Sequence, residues 1–208
     1  MDGNTDSESQ PATPLYVLIP PSPLFAAHWS FFIPNLLDYD PISRRHEESN
    51  IGRRIHVSGD RLNGFRLEVV RNYDVSKHRS VGSRRYLVAS IPAKHLQSSS
   101  SGHSTTAEKP EQKDEEEGGG YIDNNPSDDF ERVCVEVEAP GPSLNRVSQT
   151  ASSVPTKKAK AEVKDCQWWV RQVVDVLVAR RMLEPAPPGA NKPASQSPMD
   201  AVVALPVH

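Results

Sequence analysis

Only one stretch of this chain reads as a clear helix. Across Cys166–Leu183 (CQWWVRQVVDVLVARRML), Val170, Val173, Val174, Leu177 and Val178 fall on one face. Asp165 is a natural N-cap, Arg180 and Arg181 suit the negative end of the helix dipole, and Pro185 with Pro187-Pro188 ends the helix. The rest of the core must then come from strands. Leu15–Ile19 is a short apolar run ending at Pro20-Pro21, and His28–Ile33 (HWSFFI) is aromatic-rich and closed by Pro34. Gly52–Gly59 (GRRIHVSG) puts Ile55 and Val57 on one face and His56 on the other. Asn63-Gly64 is a favoured hairpin pair, after which Phe65, Leu67 and Val69 alternate with Arg66 and Glu68. Arg85–Ile91 and Arg132–Glu138 (RVCVEVE) complete the set. In the latter, Val133, Val135 and Val137 lie on one side and Cys134 on the other.

These patterns predict an α+β domain over residues 15–184: an antiparallel five- or six-stranded sheet or partial barrel, connected as a meander, with one main C-terminal helix. A hydrophobic fraction of 36%, with 19 prolines and 11 glycines in 208 residues, leaves a sizeable share of the chain without a core pattern. Residues 1–14 read as a disordered lead and 97–130 as a disordered insertion. Residues 140–163 read as a loop and 185–208 as a disordered tail. Asp38–Asn50 also reads as a loop.

The charge balance excludes some partners. A net charge of −3 lacks the basic excess of a dedicated nucleic-acid binder. No apolar run approaches the ~20 residues of a transmembrane helix, and no signal peptide is visible, so a cytoplasmic location is expected. There both cysteines, Cys134 and Cys166, stay reduced. The sequence shows no phosphate-binding glycine loop and no zinc spacing, so neither a cofactor nor a metal is expected. The arginine pairs Arg44-Arg45, Arg53-Arg54 and Arg84-Arg85 read as solvated strand edges, with an anionic ligand as the other reading.

Three residues carry candidate chemistry. Cys166 opens the helix, where unpaired amides and the macrodipole favour a thiolate and lower its pKa. A thiol nucleophile needs a base, and the base needs an orienting group. His28 and His56, on neighbouring strands, can fill both roles if the helix start lies across them. For each residue the plain reading is structural: a packed thiol beside Trp168 or Trp169, and hydrogen-bonded histidines on a sheet. Cys134 reads as a structural thiol.

HWSFFIP, Ile55-His56-Val57 and Asp165-Cys166-Gln167-Trp168-Trp169-Val170 together resemble the His, His, Cys order of the lecithin:retinol acyltransferase and phospholipase A/acyltransferase group. The resemblance covers three short blocks. It implies a permuted papain-like fold, with Cys166 as nucleophile, His28 as its base and His56 orienting His28. Asp165 stands where that group has Asn, and the His28–His56 spacing is longer. PLYVLIPPSPLFAAHW, GRRIHVSGD and DCQWWV also resemble a family of small fungal proteins, which implies no activity.

Two function classes follow. The first is thiol-dependent acyl transfer or hydrolysis of an amide, ester or thioester, acting on a small-molecule or peptide acyl substrate. The second is a non-catalytic interaction module on the same fold, with a protein partner bound through the disordered segments. The fungal resemblance adds an accessory role in a secondary-metabolite pathway, by analogy of context alone.

Overall fold

A computed structural model describes residues 12–21, 27–40, 45–77, 82–97, 120–143, 164–187 and 196–207. Seven strands form one antiparallel sheet: β1 (Thr13–Ile19), β2 (Ser30–Asp40), β3 (Arg45–Asp60), β4 (Gly64–Asp74), β5 (Arg84–Ile91), β6 (Tyr121–Ile122) and β7 (Glu184–Pro185). Their order is β6-β4-β3-β2-β1-β5-β7. Three helices accompany the sheet: α1 (Asp129–Glu136), α2 (Cys166–Ala179) and α3 (Pro198–Val203). The α+β class and the antiparallel pairing agree with the sequence expectation, and two very short strands extend the sheet beyond the expected count.

The connectivity departs from a meander after β4. β5 pairs with β1, and the outer edge of β4 is taken by β6. Asn50 marks the crossing: its carbonyl accepts from the Val75 amide at 3.0 Å, and its side chain accepts from Arg85 at 3.0 Å. The end of β4 and the start of β5 are thus held at one residue of β3.

The expected loop Asp38–Asn50 is mostly strand. β2 does not stop at Pro34, because the β2–β3 register shifts between Pro34 and Leu36. At such an irregularity the missing proline N–H costs the ladder little. Opposite Pro34 lies Gly52, where the backbones approach so closely that a Cβ would sit 2.2 Å from the Ile33 carbonyl oxygen.

Arg132–Glu138, expected as a strand, lies largely within α1. Asp128 caps the helix by accepting from the Glu131 amide at 2.9 Å. Phe130, Val133 and Cys134 are buried at i, i+3 and i+4, while Val135 is exposed. An acidic cap followed three residues later by Glu, just ahead of an apolar run, is a helix-start signature that outweighs the β-preference of three valines.

α2 starts where the sequence placed it, with Asp165 accepting from the Gln167 and Trp168 amides. It ends earlier, at Ala179. Arg181 takes a left-handed conformation (φ 56°) and the Met182 amide returns to the Leu177 carbonyl at 2.9 Å, a Schellman closure. Trp169, Val170, Val173, Val174 and Leu177 are buried, but Val178 is exposed.

The segments expected to be disordered are partly built into the domain. Residues 120–130 supply β6 and the start of α1. Pro140 accepts from the Phe65 amide, and Ser143 donates its amide to the Arg61 carbonyl. Residues 184–185 pair with β5, and 196–207 carry α3, started by a Ser197 side chain that accepts from the Asp200 amide. The remainder of those expectations (residues 1–11, 98–119, 144–163, 188–195 and 208) lies outside the described residues.

The helices cover one face of the sheet. Leu15, Val17, Trp29, Phe31, Ile55, Val57 and Val69 form the main core with them. On the other face, Leu18, Phe32, Val70 and Tyr73 make a smaller cluster. Ile55 and Val57 therefore face the main core, and His56 turns away from it, as strand alternation requires. No described helix is long and apolar enough to cross a membrane.

Candidate functional site

His28 lies two residues before β2, between two residues bolted to α2 and the chain beyond it. The Ala27 carbonyl accepts from the Gln167 side chain at 2.9 Å. The buried Trp29 indole donates to the Pro206 carbonyl at 3.1 Å, and the Arg171 guanidinium lies 5.0 Å from its ring centroid. With Ala27 and Trp29 both in the main core, the side chain between them turns the other way, and there it meets His56.

The two imidazoles are paired. His28 Nε2 and His56 Nδ1 are 3.0 Å apart, with the rings nearly perpendicular at 85°. Burial drives the pKa of both rings down to about 3, and the Arg54 guanidinium contributes to each shift, so both are neutral at pH 7. Arg54 itself donates to Ser30 Oγ at 3.2 Å and lies over the Tyr73 ring.

Behind His56 stands a group the sequence reading passed over. Glu68, on β4, is directly opposite His56 in the β3–β4 register and is buried. Its Oε2 is 3.4 Å from His56 Nε2, an ion-pair distance longer than a close hydrogen bond, and its Oε1 accepts from Arg66 at 2.7 Å. The hairpin decides this pairing. Were Asn63 and Gly64 the two central residues of the turn, Leu62 would face Phe65 and His56 would face Arg71. Instead Asp60 accepts from the Leu62 and Asn63 amides, and Gly64 takes φ 88°. A three-residue loop results, with Asp60 opposite Gly64.

Cys166 lies at the first turn of α2 and is 8% exposed. Arg61, from the β3–β4 hairpin, donates to the capping Asp165 at 3.1 Å and ties the helix start to the sheet. Burial pushes the Cys166 thiol up. The Trp29 backbone amide opposes that rise, the Asp165 carboxylate adds to it, and the amides of Gln167 and of Cys166 itself oppose it. This corrects the expectation of a depressed thiol, since loss of solvent outweighs the helix amides. Cys166 packs in the main core with Ala27 and Trp29, the residues on either side of His28, whereas the His28 ring turns to the other face. Among the described residues, no hydrogen bond links the Cys166 sulfur to either imidazole.

The structure therefore joins His28 to His56, adds Glu68, and brings Cys166 to the residue next to His28. Cys134 is fully buried in α1, and its thiol is pushed well above the usual range by burial. Among the described residues, no group of three or more His, Cys, Asp or Glu side chains is placed to hold a metal ion. Arg53, read from sequence as a solvated edge residue, instead pairs with the buried Asp128 and Glu131.

No curated protein and no solved structure matches the chain. A family match covers residues 15–184, from β1 through the first residue of β7, and so includes all four residues of the candidate site. The chain belongs to DUF6540, a family of unknown function.

Proposed function

We propose that this protein is a thiol-dependent acyltransferase or hydrolase acting on an amide, ester or thioester, on a permuted papain-like scaffold. The observation that carries the reading is the buried imidazole pair, His28 with His56, at a strand start whose flanking residues Ala27 and Trp29 share the main core with Cys166. In the reaction Cys166 Sγ attacks the acyl carbon and its proton passes to His28 Nδ1, the ring nitrogen not engaged with His56. Collapse of the tetrahedral adduct breaks the bond to the leaving amine, alcohol or thiol, which takes that proton from His28. Water or a second nucleophile then releases the acyl group from the thioester, giving its proton to His28 and returning the thiol.

The resting pair is thiol and neutral imidazole, so His28 works as a general base during attack and no standing ion pair is needed. The Cys166 amide is the candidate oxyanion donor, because Asp165 already engages the next two amides of the helix. The Gln167 side chain is committed to the Ala27 and Val207 carbonyls and does not serve.

Labelling with electrophilic acyl probes tests the reading. The native protein is expected to label at Cys166 and Cys166→Ser to lose at least ~90% of the signal, with His28→Ala lowering the rate ~100-fold or more. The iodoacetamide rate is expected to rise only above the ordinary thiol range, because burial pushes the Cys166 thiol up. Labelling at Cys134, or equal labelling of Cys166→Ser, sinks the proposal.

The second reading, a non-catalytic interaction module, is favoured by one observation: the slight exposure of Cys166 together with the lack of a sulfur–imidazole hydrogen bond. A native protein that no acyl probe labels supports it.

A further inference from the structure

We infer that Glu68 is a positioning residue that sets the tautomers of both imidazoles, so that His28 keeps Nδ1 unprotonated. The inference rests on the catalytic reading above for its purpose, but on geometry alone for its content.

Glu68, His56 and His28 follow one another along a single line of contacts. Glu68 is nearly excluded from solvent, and its Oε2 faces His56 Nε2 at 3.4 Å. A carboxylate only accepts, so the neutral His56 ring is lowest in energy with its proton on Nε2. His56 Nδ1 then carries a lone pair. It lies 3.0 Å from His28 Nε2, so that contact is a hydrogen bond only if His28 Nε2 carries the proton and donates. One neutral imidazole holds one proton. His28 Nδ1 is therefore bare and is the basic atom of the pair. With the opposite arrangement His28 Nδ1 would hold the proton and could not receive one from the thiol.

The charges around this line are few. Arg54 is the cation whose charge reaches both rings, and Arg66 holds the other Glu68 oxygen at 2.7 Å. Arg66 is largely exposed, so the carboxylate keeps most of its pull on His56.

Long-range proton–nitrogen correlation spectra of the nitrogen-15-labelled full chain at pH 7 read the tautomers directly. In the native protein both His28 and His56 are expected to carry the proton on Nε2. In Glu68→Gln the amide oxygen stays with Arg66 and the NH2 group faces His56 Nε2. Both protons are then expected to move to Nδ1, with acyl-probe labelling falling ~10-fold or more. The backbone fingerprint of the same sample reports whether the variant is folded. If it is not, the native spectrum alone decides, because a native His28 protonated on Nδ1 overturns the inference and protonation on Nε2 in both rings supports it. Identical tautomers in native protein and folded Glu68→Gln also overturn it. The spectra need no turnover. Flipped tautomers in a protein that no acyl probe labels keep this inference and remove the catalytic reading, while labelled protein with unmoved tautomers does the reverse.

Discussion

Glu131→Ala destabilises the protein by about 3–5 kcal/mol, measured by denaturant unfolding at neutral pH. Glu131 is fully buried at the first turn of α1 and accepts from Arg53 on β3, from both terminal nitrogens of Arg71 on β4, and from the amide and hydroxyl of Ser127. Burial alone would raise its pKa, but the Arg71 hydrogen bonds, the Ser127 amide and the Arg53 charge outweigh that and hold it below the usual carboxylate range. Removing this carboxylate leaves two guanidinium groups, 18% and 11% exposed, short of their main counter-charge, with Asp128 and Asp123 as the remaining anions. The loss is large because cations are stranded away from water, and the intact cluster need not be correspondingly stabilising. Glu136→Ala is the control. Its pair with Arg180 is about half exposed at both ends, where water screens the attraction, so its loss should leave stability nearly unchanged. Equal losses in the two variants would refute the assignment.

Stability falls as the solution is acidified from about pH 6.5 towards pH 3, with a slope approaching ~2.7 kcal/mol per pH unit. His28 and His56 each have a folded pKa of about 3 against 6.5 when exposed. Across that window the unfolded chain binds more protons than the folded one, so stability rises with pH and is lost on acidification. Above pH 6.5 both states hold neutral rings and the term is flat. Glu131 acts in the same direction at lower pH: its pKa is depressed from 4.5, so its contribution is present above that value and lost below it. Unfolding curves between pH 7.5 and 4.5 check the slope, which His28→Asn should roughly halve. A flat profile over this range would mean that the rings are not buried neutral.

Much of the candidate site was legible because local rules governed it. Alternation placed His56 on the face opposite Ile55 and Val57, and the aspartate before Cys166 fixed the start of α2. Glu68 was not legible, although it lies in a segment read correctly as a strand. Its partner depends on the hairpin loop, where the Asp60 side chain selects three loop residues over two and so brings a carboxylate, not an arginine, opposite His56. α1 was missed for a related reason. Valines at alternate positions satisfy a strand pattern, and the signal that overrides it is a single cap three residues before Glu131. The continuation of β2 past Pro34 depends on a register shift, a property of two strands together that neither segment announces alone. The height of the Cys166 pKa depends on burial, which needs the packed helix to be seen.

Residues 204–207 behave as a latch over α2. Carbonyls of Pro206 and Val207 receive the indole of Trp29 and the side-chain amide of Gln167, the neighbours of His28 and Cys166. A fragment cut at the bounds of the family match, 15–184, would strip acceptors from both donors and uncover the groove where α3 lies against α2 and β5. Such a fragment should unfold at lower temperature than the full chain, and a missing signal from it would say nothing about the chemistry of the intact protein.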